Sequence, residues 1–108
     1  MKKEKQRYLL FKIIREPNVS FEQQDFIREL WQSIWRYFGM KEANKIGLWL
    51  NEFNLQNNYG IIRCTHETKE ILITALSLIR EVLGNKVIFS PIKTSGTIKA
   101  IKNKWIKN

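Results

Sequence analysis

Arg7-Tyr8-Leu9-Leu10-Phe11-Lys12-Ile13-Ile14-Arg15 is rich in β-branched and aromatic residues, and Glu16-Pro17-Asn18 stops it, which together predict a strand. Successive side chains of a strand point to opposite faces. Leu9, Phe11 and Ile13 therefore project one way and Tyr8, Leu10 and Ile14 the other, with Lys12 the exception. A strand that is apolar on both faces belongs in the interior of a sheet covered on each side.

Downstream, Ser20 predicts a helix start with Gln23 in capping-box position, and Ile27, Leu30, Trp31, Ile34 and Phe38 form its apolar stripe up to Gly39. Phe26 and Trp35 widen that surface. Two uses fit the width: a larger core, or a protein-interface surface at Trp31 and Trp35, since exposed aromatic residues anchor interfaces. Met40 to Lys45 makes one helical turn or an excursion before a strand over Ile46 to Phe53. The polar turn from Asn54 to Gly60 returns it as a hairpin into Gly60 to Thr65. A second helix is predicted from Glu67 to Leu83, with Leu72, Ala75, Leu76, Ile79 and Val82 inward and Gly84-Asn85 closing it. Lys86 to Lys93 is the fourth strand, and Pro91 places it at an edge or marks a bulge.

Beyond it, Thr94-Ser95-Gly96-Thr97 precedes a segment whose apolar members, Ile98, Ile101 and Trp105, fall at helical spacing among lysines. The expected fold is α+β: a ferredoxin-like (RRM-like) sandwich, a four-stranded antiparallel sheet with both long helices on one face, plus an added basic C-terminal helix over residues 95–107. All 108 residues make one domain, with a basic arm over residues 1–6. On the other face Tyr8, Trp49 and Phe53 are candidates for base stacking. However, the stripe of the last helix needs burial, and that face is the economical place for it. A covered sheet follows, with RNA met by the helix and the termini instead.

The net charge of +9 is unevenly distributed. Lys2, Lys3, Lys5 and Arg7 face only Glu4 in residues 1–10, and Lys86, Lys93, Lys99, Lys102, Lys104 and Lys107 face no acid in residues 86–108. Residues 11–85 balance. Concentrated positive charge points to a polyanion, and the sequence predicts an RNA-binding protein. An RNA phosphate is expected on the N–H groups of Gly96 and Thr97, with the Ser95 and Thr97 hydroxyls and Lys99 beside it. Thr94, Lys93 and Arg63 complete the candidate set, while Lys102, Lys104 and Lys107 add diffuse attraction.

One cysteine, Cys64, allows no internal disulfide, and a reducing, cytoplasmic setting is expected. Lys12 and Arg15 interrupt the first apolar run, so it is not read as a signal peptide. No run approaches the roughly 20 residues of a membrane span. Cys64 and His66 offer two ligands and no third or fourth, so no protein-bound metal or cofactor is expected. The pair is instead expected to supply a buried thiol and one basic contact, with a helix cap at the same junction. The carboxylates are scattered, no phosphate loop is present, and no catalytic residue is assigned.

Arg7 to Ile14, Gly47-Leu48-Trp49-Leu50, Gly60-Ile61-Ile62-Arg63-Cys64-Thr65-His66 and Thr94-Ser95-Gly96-Thr97-Ile98-Lys99 together resemble the archaeal ribonuclease P protein component 2 family, in order and over nearly the whole chain. The asparagine-rich hairpin and the lysine-rich tail depart from it. The resemblance implies a non-catalytic subunit of the endoribonuclease that removes the 5′ leader from precursor tRNA. The RNA then carries the active site and uses Mg²⁺, protein component 3 and other subunits are partners, and precursor tRNA is met indirectly. Two further classes fit the residues alone: a general or ribosome-associated RNA-binding protein, and a ferredoxin-like regulatory domain for a small metabolite.

Overall fold

β1 (Gln6–Arg15) lies in the middle of the sheet, between β3 (Tyr59–Thr65) and β5 (Asn85–Ser95), where both of its faces are used. With β2 (Trp49–Asn54) and β4 (Glu81–Val82) the order is β2-β3-β1-β5-β4, and every pairing is antiparallel. The computed structural model describes residues 5–106. Lys2, Lys3 and Lys107 lie outside the described residues.

Leu9, Phe11 and Ile13 are buried against α1 (Gln23–Ala43) and α2 (Lys69–Ser77). Aromatic rings dominate this layer. Phe26 stacks on Phe11 and on Phe53 with centroids 5.2 Å away in each case, and Phe89 meets Phe26 at 4.8 Å. Phe11 can occupy that site because its cross-strand neighbour is Gly60, where a Cβ would overlap the ring. The opposite face is covered by α3 (Ile98–Trp105), whose Ile101 is buried on Leu10 and Ile61. That cover is partial, because Ile14, Ile88 and Ile92 remain exposed.

The sheet has five strands, not the expected four. Residues expected to extend the second helix make the fifth: a 3-10 turn (His66–Thr68) leads into α2, α2 stops at Ser77, and Glu81–Val82 is β4. Ile79 and Val82 are buried as expected, yet from outside the helix, Ile79 from the turn that ends α2 and Val82 from β4. Leu83 (φ 53°) and Gly84 (φ 80°) form a two-residue hairpin turn into β5 rather than a helix cap.

α1 likewise starts later than Ser20. Val19 and Phe21 enter the core from the segment before the helix, and the Glu22 N–H donates to the Asp25 carboxylate at 2.9 Å, so Glu22 and Asp25 take the positions expected of Ser20 and Gln23. Gly39 (φ 84°) breaks the helix where expected, and one more turn follows to Ala43. β2 begins at Trp49 instead of Ile46, because Gly47 is left-handed (φ 59°) and the Ile46 carbonyl accepts from the Thr65 N–H. Pro91 does mark a bulge: Leu10 pairs with Lys93 and Phe11 with Pro91, leaving Ile92 as the extra residue.

Candidate nucleic-acid interface

α3 is fixed to the sheet in two ways and capped at its start. Ile101 is fully buried in a small cluster with Leu10 and Ile61, flanked by Tyr8, Tyr59 and Ile106. Lys102 Nζ lies 2.8 Å from Glu52 Oε1, and the Tyr59 hydroxyl donates to the other Glu52 oxygen. These hydrogen bonds hold the Glu52 carboxyl below its usual value of 4.5 and raise the Lys102 ammonium and the Tyr59 hydroxyl above theirs. Thr97 caps the helix, its Oγ1 accepting from the Ala100 N–H at 3.2 Å. Helix proper thus runs over Ile98–Trp105 rather than 95–107, and Ser95 still belongs to β5. Trp105, expected in the buried stripe, is 46% exposed, beside a groove with Asn54, Asn57 and Asn58 of the β2–β3 turn.

Around the start of α3 the expected donors are rearranged. The Thr97 N–H is engaged by Ser95 Oγ at 3.3 Å, so the free donors of the first turn are the N–H groups of Ile98 and Lys99. Gly96 needs no left-handed backbone, and a Cβ there would meet only the Arg7 guanidinium, at 3.9 Å. Its small size keeps an open approach to that end of the helix. Ser95, Gly96, Thr97, Lys99 and Arg7 are therefore brought together. Lys93 shares the face of Ser95, whereas Thr94 pairs with Leu9 and points to the opposite side. Lys5 stands exposed before β1, its carbonyl accepting from the His66 N–H.

Strand register shows what else lies on the α3 side. Trp49 pairs with Arg63, Arg63 with Tyr8, and Tyr8 with Ser95, which puts these four in one row across four strands. Phe53, also expected there, is in the core instead. The bulge between Leu50 and Glu52 inserts a residue and reverses the alternation, so Trp49 and Phe53 face opposite ways. The bases of this face are Lys12, Arg63, Lys86 and Lys93 by register and Lys99, Lys102 and Lys104 from α3. Its strand carboxylates, Glu52 and Glu81, each have a lysine opposite, Lys102 and Lys86. Among the described residues no carboxylate pairs within 4 Å with Lys12, Arg63, Lys93, Lys99 or Lys104. The sequence reading names Arg63 but misses Lys12, because only register shows that Lys12 shares a face with Arg63 and α3.

Trp31 and Trp35 stack on each other on the far side of the molecule, with centroids 5.9 Å apart; Trp31 packs against the core and Trp35 is 46% exposed. Cys64 is buried as expected, and burial pushes its thiol up to about 11, which leaves it protonated at neutral pH. Thr65 and Thr68 close the junction through their hydroxyls, 2.6 Å apart. Among the described residues no three His, Cys, Asp or Glu side chains are grouped to hold a metal ion, and no helix is long and apolar enough to cross a membrane.

Residues 7–106 match the model of the Rpp14/Pop5 family. The chain belongs to that family. Among its archaeal members, Ribonuclease P protein component 2 of Pyrococcus furiosus is 33% identical over 96% of this chain and 85% of its own length. The protein of the same name from Archaeoglobus fulgidus is 33% identical over 95% and 90%, and that from Methanocaldococcus jannaschii 28% over 96% and 75%. The resemblance drawn from the sequence is borne out. In three dimensions the chain is similar to a chain of the cryo-EM structure of yeast ribonuclease MRP, with a TM-score of 0.70, 14% identity, and coverage of 90% of this chain and 78% of that one, which supports the fold.

Proposed function

We propose that this Rpp14/Pop5 family member is a protein subunit of ribonuclease P that binds and supports the RNA removing the 5′ leader from precursor tRNA. The observation that carries this is similarity over nearly the whole chain to archaeal proteins named Ribonuclease P protein component 2. The basic α3 face, on a ferredoxin-like arrangement of the four long strands, supports it physically: among the described residues Lys12, Arg63, Lys93, Lys99 and Lys104 have no carboxylate partner within 4 Å, and α3 is too well docked to be a free tail. In this reading the RNA performs the cleavage with its own Mg²⁺. Protein component 3 and other subunits are partners, with Trp35 a candidate contact beside Trp31, and the particle is cytoplasmic.

Reconstitution of the RNA and the other subunits with and without this chain tests the proposal. Cleavage at the mature 5′ end should be stimulated by the chain, while the chain alone should leave precursor tRNA intact. Binding without stimulation would instead mark a general RNA-binding protein. Specific cleavage that survives removal of all RNA cofactor would overturn the division of labour.

A further inference from the structure

α3 crosses the second face of the sheet over Leu10 and Ile61, and beside that contact runs the row Trp49-Arg63-Tyr8-Ser95, in which Trp49 is exposed and the other three are half-buried. With neighbouring strands about 4.8 Å apart the row spans roughly 14 Å. Three features single it out. Trp49 is 58% exposed, although the other large apolar residues of its strand, Leu50 and Phe53, pack against the core. Arg63 lies against it, its guanidinium carbon 5.9 Å from the ring centroid, and so presents a cation beside the ring. The Arg63 Nε is buried and makes no hydrogen bond among the described residues, an N–H that calls for an acceptor. At the far end of the row Ser95 adjoins the α3 terminus, with the Ile98 and Lys99 N–H groups free of intrahelical acceptors.

We propose that this row binds a short unpaired segment of RNA, one base stacking on Trp49 and its backbone running past Arg63 and Tyr8 to the start of α3. This rests on the RNA-subunit reading above and adds which part of an RNA the surface takes. A base offers a flat ring for Trp49 and acceptor edges for Arg63, and the following phosphates meet cations and N–H donors. A paired helix hides its base faces, so a duplex can use the cations but not the ring. A protein partner could bury Trp49 equally well, but it would also have to meet Arg63 beside that ring and Lys93 and Lys99 on the same face, none of which has a carboxylate within 4 Å among the described residues. The pattern favours a polyanion.

The test uses the full chain with two probes, a short oligouridylate and a fully paired RNA hairpin, and the variants Trp49→Phe and Trp49→Ala, whose thermal midpoints are checked against the original. Trp49→Ala should weaken oligouridylate binding by roughly 5- to 150-fold, the range expected for loss of one stacked base. Trp49→Phe should retain most of the affinity. Neither should change the salt slope, since no charge is removed, and hairpin binding should be unaltered. Oligouridylate should quench the original's tryptophan fluorescence more than that of Trp49→Phe. The proposal is overturned if Trp49→Ala binds oligouridylate as tightly as the original, or loses both probes alike. It is also overturned if the variant keeps both probes and loses the other subunits in a reconstituted particle, which would make Trp49 a protein anchor. An original chain that binds neither probe contradicts the RNA-subunit reading itself; an original chain that binds RNA while Trp49→Ala shows no selective loss of oligouridylate contradicts only the proposal.

Discussion

The two faces of one sheet are stabilised in different ways. Beneath α1 and α2 the strands bring Phe11, Phe53 and Phe89 around Phe26, a dry layer of interlocking rings. Beneath α3 a small apolar cluster around Ile101 is ringed by tyrosines and an ion pair, and beyond it lie unpaired cations and an exposed tryptophan. The first face uses nearly every side chain to hold the fold. The second uses only enough to seat one helix and leaves the remaining groups available to a partner, so folding and binding are separable by face.

Core truncation should show the largest difference. Phe26→Ala should cost about 3–5 kcal/mol in chemical denaturation and leave little folded protein at elevated temperature. Ile101→Ala, at the centre of the smaller cluster, should cost about 2 kcal/mol and weaken RNA binding as well by loosening α3. Equal losses from the two would mean that the faces are equivalent and that the contrast is false.

Salt dependence gives the next effect. Lys99→Ala and Lys104→Ala should each flatten the salt slope of RNA binding by about 0.9, taking the duplex DNA figure as a guide. Lys102→Ala should flatten it less, because Lys102 already pairs with Glu52. Gly96→Val has room within the fold and should lower affinity at an unchanged slope. Equal slope changes for all three lysines would show that the Glu52 pair does not persist in solution.

Smallest is the ion pair's share of stability. Glu52→Gln should cost under about 1 kcal/mol at neutral pH, as befits a partly exposed pair. Because Glu52 is held below its usual 4.5, that contribution is present above pH 4.5 and disappears as pH falls through the lower folded value. The raised Lys102 sets the other limit, losing its share as pH rises through a value above 10.5. Denaturation curves of the original and the variant should converge in acid. A difference that persists there would point to a packing role for Glu52 instead.

Much of this was legible in the chain. The alternation of Tyr8 to Ile14 placed the first strand at the centre, and Ile101 marked the helix that covers its second face. What periodicity could not resolve was parity and conformation at irregular points. The bulge after Leu50 turned Phe53 into the core and Trp49 outward, a reversal that an inserted residue produces without any change in composition. Ile79 and Val82 have the spacing of a helix yet lie beyond its end, in a turn and on β4, and are buried in the same core. Lysines near the end of the chain were evident, but the pairing of Lys102 with Glu52 joins residues far apart in sequence and depends on where α3 docks.

Photocrosslinking of the chain to the RNA in a reconstituted particle, with the modified peptides mapped by mass spectrometry, tests the separation of faces most directly. Crosslinks should fall on the α3 side, at Tyr8, Trp49 and Lys93 and along α3, and be absent from the outer surface of α1. Crosslinks concentrated on Trp35, Arg36 and Tyr37 of α1, with the α3 side unmodified, would contradict it.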